Sequence, residues 1–383
     1  MIIKLFKANY PVNNMDKKIK ILEICPFSVG ICGVWTRVLS ESLEFIKLGY
    51  EVRVFSSDII KGTDKRVDCD ENVDGIKIKR FSSSKSFISK NVNNFNFEEE
   101  FLDYKPKIVI THLLHPHSFK ALKLCRKYNI PCYLVTHAPF NVKRRFPLNL
   151  ATSFYNTARV KPFLKKFTKI IAITRWEMPY LKNLGIKEDK IICIPNGIPN
   201  EFFNQNKPKS QKTKDVLFLG RIAPVKNIET LLFSAKVLPN VGFSIVGSSE
   251  EKYLEKLNET IEKEQLKNVR IFPPIYNLKK KIQLIDEHKI FVLPSFREAM
   301  PQVLLEAMAR GLVVIASNTD GANEIIINEK TGFLFKVGDS KRLAELISLN
   351  LSGNKTIENN AINESKKYLW QKLIKLYSSM FNK

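Results

Sequence analysis

The chain has 383 residues, 44% apolar and 26% charged, and a net charge of +24 at neutral pH. Its length exceeds one comfortable core, so two domains are expected, and its composition is that of a globular protein rather than a fibrous or disordered one. No apolar run reaches the ~18 residues of a membrane span and the first residues lack a secretory-type apolar region, so a cytoplasmic location with six reduced cysteines is expected.

In chain order, KIKILEICP (18–26) is the short β-branched run of a buried parallel strand. A glycine-containing turn follows. Next comes a helix over VWTRVLSESLEFIKLG, with Val34, Val38, Phe45 and Ile46 near helical spacing and Gly49 as its stop. EVRVFSS, KIVITH (107–112), CYLVTH (132–137) and KIIAIT (169–174) continue a doubly wound α/β unit. The Ser/Asn-rich stretch 82–96 has the composition of a loop. Polar, Lys-rich NQNKPKSQKTKD (204–215) predicts an interdomain linker.

After it the pattern repeats. DVLFLG, GFSIVG, VRIFPP, KIFVLP and VVIAS are strands separated by helical stretches. The predicted layout is one Rossmann-like domain over 1–204, a second over 205–363, and a terminal amphipathic helix over 364–383. That helix sets Leu369, Leu373 and Leu376 on one side and packs back on the first domain.

Two stretches hold the chemistry. In FLGRIAPVKNIETLL a strand ends at Gly220 and a helix starts near Asn227, which places Arg221 and Lys226 at the carboxyl edge of the sheet. Two cations beside a helix N-terminus suit a diphosphate. SFREAMPQVLLEAMARG (295–311) predicts a helix from Pro301, in its first position, to Arg310, with Gly311 as the stop. Glu298 precedes it, Glu306 lies on its second turn, and its free amides, near Met300 to Val303, face out of the sheet edge. A hydrolase pair loses on distance. Eight helical residues span ~12 Å, whereas retaining glycosidases hold their carboxyls ~5 Å apart. Solvated glutamates on a surface helix remain the plain alternative.

The stretch from Ser295 to Phe335 resembles the E-x7-E signature of retaining glycosyltransferase family 4, whose fold is GT-B. FLGRIAPVKNIETLL is similar to that family's diphosphate loop, and KIICIPNGIPNEFF (190–203) to its segment before the second domain. CGVWTRVLSESLEFIKLGYEV is similar to its first turn and helix, and YLVTHAPF to its strand ending in His. The resemblance runs through most of the chain in the family's order.

It implies two Rossmann-like domains facing a cleft and retaining transfer from a nucleotide-diphosphate sugar of UDP or GDP type, with no metal. Glu298 would hold the donor sugar, Glu306 the ribose, and Arg221 with Lys226 the diphosphate. Met300, Pro301, Gln302 and Val303 would supply contacts at the helix start. His137 would stand by the sugar, Gly33 would approach the phosphates, and the backbone at Pro274 and Ile275 would meet the base. Three departures stand out. Cys32 replaces one of the two usual glycines, Ala299-Met300 replaces Gly-Phe, and Pro274 replaces a glycine.

Other signals are weaker. Asp68-Cys69-Asp70 is a DxD in an acidic stretch that reads as a solvated loop. His112, His115 and His117 are read as strand-end histidines lining the cleft rather than as zinc ligands. SVGICGV holds only Gly30 and Gly33, too few for a dinucleotide fingerprint. Between Phe101 and Arg175 fifteen Lys or Arg face one acid, Asp103. KRRFPLNLATSFYNTARVKPFLKKFTK (143–169) interleaves eight of them with aromatics, which suits an anionic membrane surface and a lipid-linked or glycan acceptor better than nucleic acid. A non-catalytic protein of the same fold and a sugar-nucleotide epimerase are the rival readings.

Overall fold

The structure is a computed structural model that describes residues 18–30, 32–61, 65–86, 89–138, 160–204 and 213–381. Among the described residues ten strands belong to the first half of the chain: β1 (Lys20–Ile24), β2 (Glu51–Ser57), β3 (Asp70–Val73), β4 (Ile76–Phe81), β5 (Ser83–Ser86), β6 (Ser89–Phe95), β7 (Ile108–His112), β8 (Cys132–Val135), β9 (Lys169–Ala172) and β10 (Ile191–Cys193). Eight form one sheet in the order β10-β9-β8-β7-β1-β2-β4-β3, parallel apart from the edge strand β3. β1, β7 and β8 bury nearly every residue, as strands covered on both faces must, which is why they read as continuous apolar runs.

The second half forms a six-stranded parallel sheet, β13-β12-β11-β14-β15-β16, from Lys214–Leu219 (β11), Phe243–Val246 (β12), Val269–Phe272 (β13), His288–Leu293 (β14), Val313–Ser317 (β15) and Phe333–Phe335 (β16). In each sheet the winding reverses at an inner strand: β1 lies between β7 and β2, and β11 between β14 and β12. Crevices open at the carboxyl ends of such strands. The loops after β1, β11 and β14 therefore lie where such a crevice is expected.

The two domains are joined by two crossings laid side by side. The outgoing chain passes through Ile194–Asn204 and the returning chain through Lys366–Trp370. Ile198 N donates to Tyr368 O at 2.8 Å and Trp370 N to Ile198 O at 3.2 Å. Gly197 lies flat against the Trp370 indole, so closely that a Cβ there would fall 2.7 Å from the ring. Buried Arg310 ties the outgoing strand down. It pairs with Asp286 at 2.6 Å and donates to the carbonyls of Phe202 and Asn204.

Four expectations change. The stretch 82–96 is an antiparallel ribbon of β5 and β6 rather than a loop; a two-strand ribbon pairs locally, and Phe95 anchors it in the core. Pro301 is the N-cap of the Gln302–Ala309 helix, with extended backbone, not its first residue; the helix hydrogen bonds begin with Leu304 N to Pro301 O. The terminal helix spans Trp370–Phe381 and buries Trp370, Leu373, Ile374, Tyr377 and Met380, whereas Leu376 stays 38% exposed, because the stripe is set by the Gly33–Lys47 helix it lies on. Asp70 of the DxD opens the exposed edge strand β3 and pairs with Lys79 at 3.1 Å. Residues 205–212 of the expected linker lie outside the described residues.

Candidate active site

On the second domain the loops after β11 and β14 are stitched together by Phe296 N donating to Val225 O at 2.9 Å. This brings Lys226 to Glu298. Their side chains pair at 2.6 Å, both largely buried, and Ser295 Oγ donates to the same carboxylate oxygen at 2.6 Å. Gly321 supports the loop from beneath, in contact with the carbonyls of Glu298 and Ala299. Arg221 is turned outward and pairs with Glu250 at 2.8 Å, with both side chains well exposed. Lys226 and Arg221 therefore do not share a partner, as a joint diphosphate loop would suggest.

Glu306 is buried on the Gln302–Ala309 helix and takes Lys281, from the Leu278–Asp286 helix, at 2.7 Å. Sequence spacing gave no hint of Lys281, which lies 25 residues away on another helix. Ile275 packs half-buried against the apolar core just before that helix. Met300 and Gln302 point toward the first domain rather than into open solvent. Asn196 donates to Met300 O at 3.1 Å and Gln302 to Gly197 O at 3.2 Å. Gln302 Oε1 also comes within 4.0 Å of where a Cβ on Gly33 would be, so the glycine turn and the helix start meet across the cleft. Pro301 is buried beside them and Val303 half-buried.

His137 lies on the first-domain wall. It and Ala138 both take left-handed backbone, φ 57° and 53°, a costly conformation for non-glycine residues. Buried Glu177 holds them there. One of its carboxylate oxygens accepts Ala138 N at 3.0 Å and the Thr136 hydroxyl, while the other accepts Ile173 N at 2.9 Å and Thr174 N at 3.2 Å. Burial raises the Glu177 carboxyl above its ordinary range despite these donors. The His137 ring meets His112, Nε2 to Nδ1 at 3.0 Å.

Three histidines earlier in the chain correct another expectation. His112 and His117 are fully buried and only His115 is partly open, so they do not line the cleft as a set. His117 Nε2 donates to the His112 carbonyl at 2.9 Å, so that nitrogen is not available as a ligand. Among the described residues one group has metal-like spacing, namely Glu23, Glu41 and His112, with ligand atoms within 4.8 Å of one another. Glu23 and Glu41 were missed in the sequence.

A model of Glycosyltransferase Family 4 matches residues 31–202, and one of Glycosyl transferases group 1 matches residues 199–368. The chain is a GT-B glycosyltransferase of the family 4 type. Relatives of this glycosyltransferase include the capsular polysaccharide biosynthesis glycosyltransferase CapM of Staphylococcus aureus, 27% identical over 220 residues, 50% of this chain and 56% of that one. The UDP-Gal:alpha-D-GlcNAc-diphosphoundecaprenol alpha-1,3-galactosyltransferase of Escherichia coli is 31% identical over 175 residues, 42% and 44% of the two chains. The matches thus span about half the length of these relatives. Sucrose-phosphate synthase from Thermosynechococcus elongatus shares the GT-B fold with a TM-score of 0.75 at 18% identity, over 95% of this glycosyltransferase and 98% of that enzyme.

The basic segment is only partly visible. Residues 143–159 of it lie outside the described residues, which resume at Val160. In the remainder Lys165 and Lys166 are exposed, Lys161 and Lys169 are half-buried, and Phe167 belongs to the first core. Phe163 stacks edge-on against Phe119 at 4.2 Å, so these two rings serve packing, not a lipid surface. Among the described residues no helix is long and apolar enough to cross a membrane.

Proposed function

We propose that the chain transfers a sugar, with retention and without a metal, from a nucleotide-diphosphate sugar to a glycan or lipid-linked acceptor in cell-surface polysaccharide synthesis. The observation that carries the reading is the Lys226–Glu298–Ser295 cluster, seated at the carboxyl edge of the second sheet before a helix N-terminus; His137 of the first domain would stand by the donor sugar. As the bond to the diphosphate breaks, its oxygen gains charge. Lys226, Arg221 and the amides at the start of the Gln302–Ala309 helix meet that charge where it develops, and such fixed donors act mainly on the transition state. Glu298 takes sugar hydroxyls and exchanges its lysine for them. Glu306 takes the ribose and the backbone at Pro274 and Ile275 takes the base, while the acceptor hydroxyl attacks from the first domain on the face the diphosphate leaves.

The lipid-linked acceptor is supported by the E. coli relative, whose name specifies a diphosphoundecaprenol acceptor, and by the basic face, which suits anionic headgroups. The test is thermal unfolding against UDP, GDP, ADP and CMP and their sugar conjugates. A ligand at 100 times its dissociation constant adds ~2.7 kcal/mol. One diphosphate series standing out, followed by acceptor-dependent release of that nucleotide, supports transfer. Turnover of the donor without any acceptor would favour epimerisation, and no shift with any nucleotide would sink the reading.

A further inference from the structure

Beneath the first-domain wall lies a closed set of buried polar side chains. His112 Nε2 stands 2.7 Å from Glu23 Oε2 and 3.2 Å from Glu41 Oε1. Arg37 Nε bonds Glu41 at 3.1 Å, and Tyr377 OH donates to Glu41 at 2.8 Å while accepting from Arg37 at 2.9 Å. On its other edge His112 Nδ1 meets His137. Glu23, Arg37, Glu41 and His112 are all 0% exposed.

Charge balance decides where the protons go. Two buried carboxylates share this space with one permanent cation, Arg37. An uncompensated buried charge costs several kcal/mol, so the set takes up one further proton. If that proton sits on the imidazole, both nitrogens of His112 donate. If it sits on Glu23, the acid donates to Nε2 and the ring keeps its own proton on Nδ1. Either way His112 Nδ1 carries a hydrogen, and the facing Nε2 of His137 must accept it. Which nitrogen of a histidine is protonated is set by the bond the other makes.

We propose that Glu23 and His112 are positioning residues that fix His137 as a neutral imidazole with its proton on Nδ1, so that it meets a ligand as a hydrogen-bond donor through that atom. The ionisation tendencies agree. Burial opposes the charged form of His112, yet its bonds to Glu23 and Glu41 lift it to about 8. Burial, then the charge of His112, holds His137 well below the ordinary histidine range. The bearing on catalysis rests on the donor-side role proposed above for His137, but the tautomer is measured with no ligand present.

With five histidines in the chain, imidazole nitrogen spectra of 15N-histidine protein are tractable, and His137→Gln identifies the His137 signals by their loss. The expected wild-type result at neutral pH is a protonated Nδ1 and a bare Nε2 on His137. In Glu23→Leu the carboxylate is gone, Glu41 and Arg37 balance, and His112 donates through Nε2 alone; His137 should switch to the Nε2–H tautomer. A wild-type Nε2–H form overturns the proposal even if the variant does not fold, and so does a folded Glu23→Leu protein whose His137 tautomer is unchanged.

Discussion

Gly321→Ala tests how closely the position of Glu298 is held. A Cβ on residue 321 would fall 2.5 Å from the carbonyl oxygen of Ala299 and 2.7 Å from that of Glu298. Both contacts are backbone, so no side chain can swing aside, and the loop must retreat by roughly 1 Å to regain ordinary separation. Overpacking of this kind costs ~1–3 kcal/mol, a fall in Tm of roughly 3–10 °C for a domain of this size. The carboxylate would move with its backbone, and a shift of ~1 Å in a reacting constellation costs on the order of 100-fold in rate. Calorimetry and donor turnover should be measured beside Gly242→Ala, whose Cβ would meet only Asp215 Oδ2 at 3.8 Å. A Gly321→Ala protein with lowered Tm but wild-type turnover would refute the argument that Glu298 must be seated this closely. A variant as stable as the Gly242→Ala control would refute the packing itself.

Glu306→Ala should weaken nucleotide binding about 10- to 100-fold, the loss of a hydrogen bond to a charged group, and titration calorimetry giving an unchanged Kd would remove Glu306 from the nucleotide site. Lys226→Ala should lower kcat by ~100-fold or more while nucleotide affinity shifts far less; equal losses in both would mean that it only binds. Burial, and then His115, hold His117 down at about 3 in the folded protein, against ~6.5 when unfolded. The unfolded chain thus takes a proton that the folded one refuses, and stability is lost as pH falls below 6.5. Denaturant unfolding between pH 6.5 and 5 should show a mean slope shallower by ~1 kcal/mol per pH unit in His117→Gln; parallel slopes would count against it. Lys165→Gln with Lys166→Gln should weaken sedimentation with anionic vesicles by ~2 kcal/mol, near thirtyfold, and unaltered partition would end the membrane reading.

The sheets were legible because strands buried on both faces must be largely apolar, and β1, β7, β8, β14 and β15 are. The candidate ligands were legible because they sit on loops whose length and composition announce a strand end followed by a helix. Charge inside the core was harder to see. Arg37 and Glu41, four apart on a helix, look like a solvated pair, yet both are fully buried. One signal was available: Glu41 lies seven residues after Val34 and four before Phe45, on the apolar stripe. Glu23, an acid flanked by the apolar residues of its strand, was another. Lys281 and Gly321 left no such trace, since each matters only through a neighbour brought near by the fold.

The returning crossing also has a consequence for biosynthesis. The aromatic edge of the first domain, with Phe45 against Tyr377 at 5.3 Å and Tyr133 against Phe381 at 5.4 Å, is closed by residues that leave the ribosome only after the whole second sheet. Until then Arg37 and Glu41 lack the Tyr377 hydroxyl, and the Phe45 side lies open to water. The first domain is begun first and finished last, so the nascent chain holds an unfinished hydrophobic edge throughout synthesis of the second. A fragment ending before Trp370 would carry that same open edge permanently.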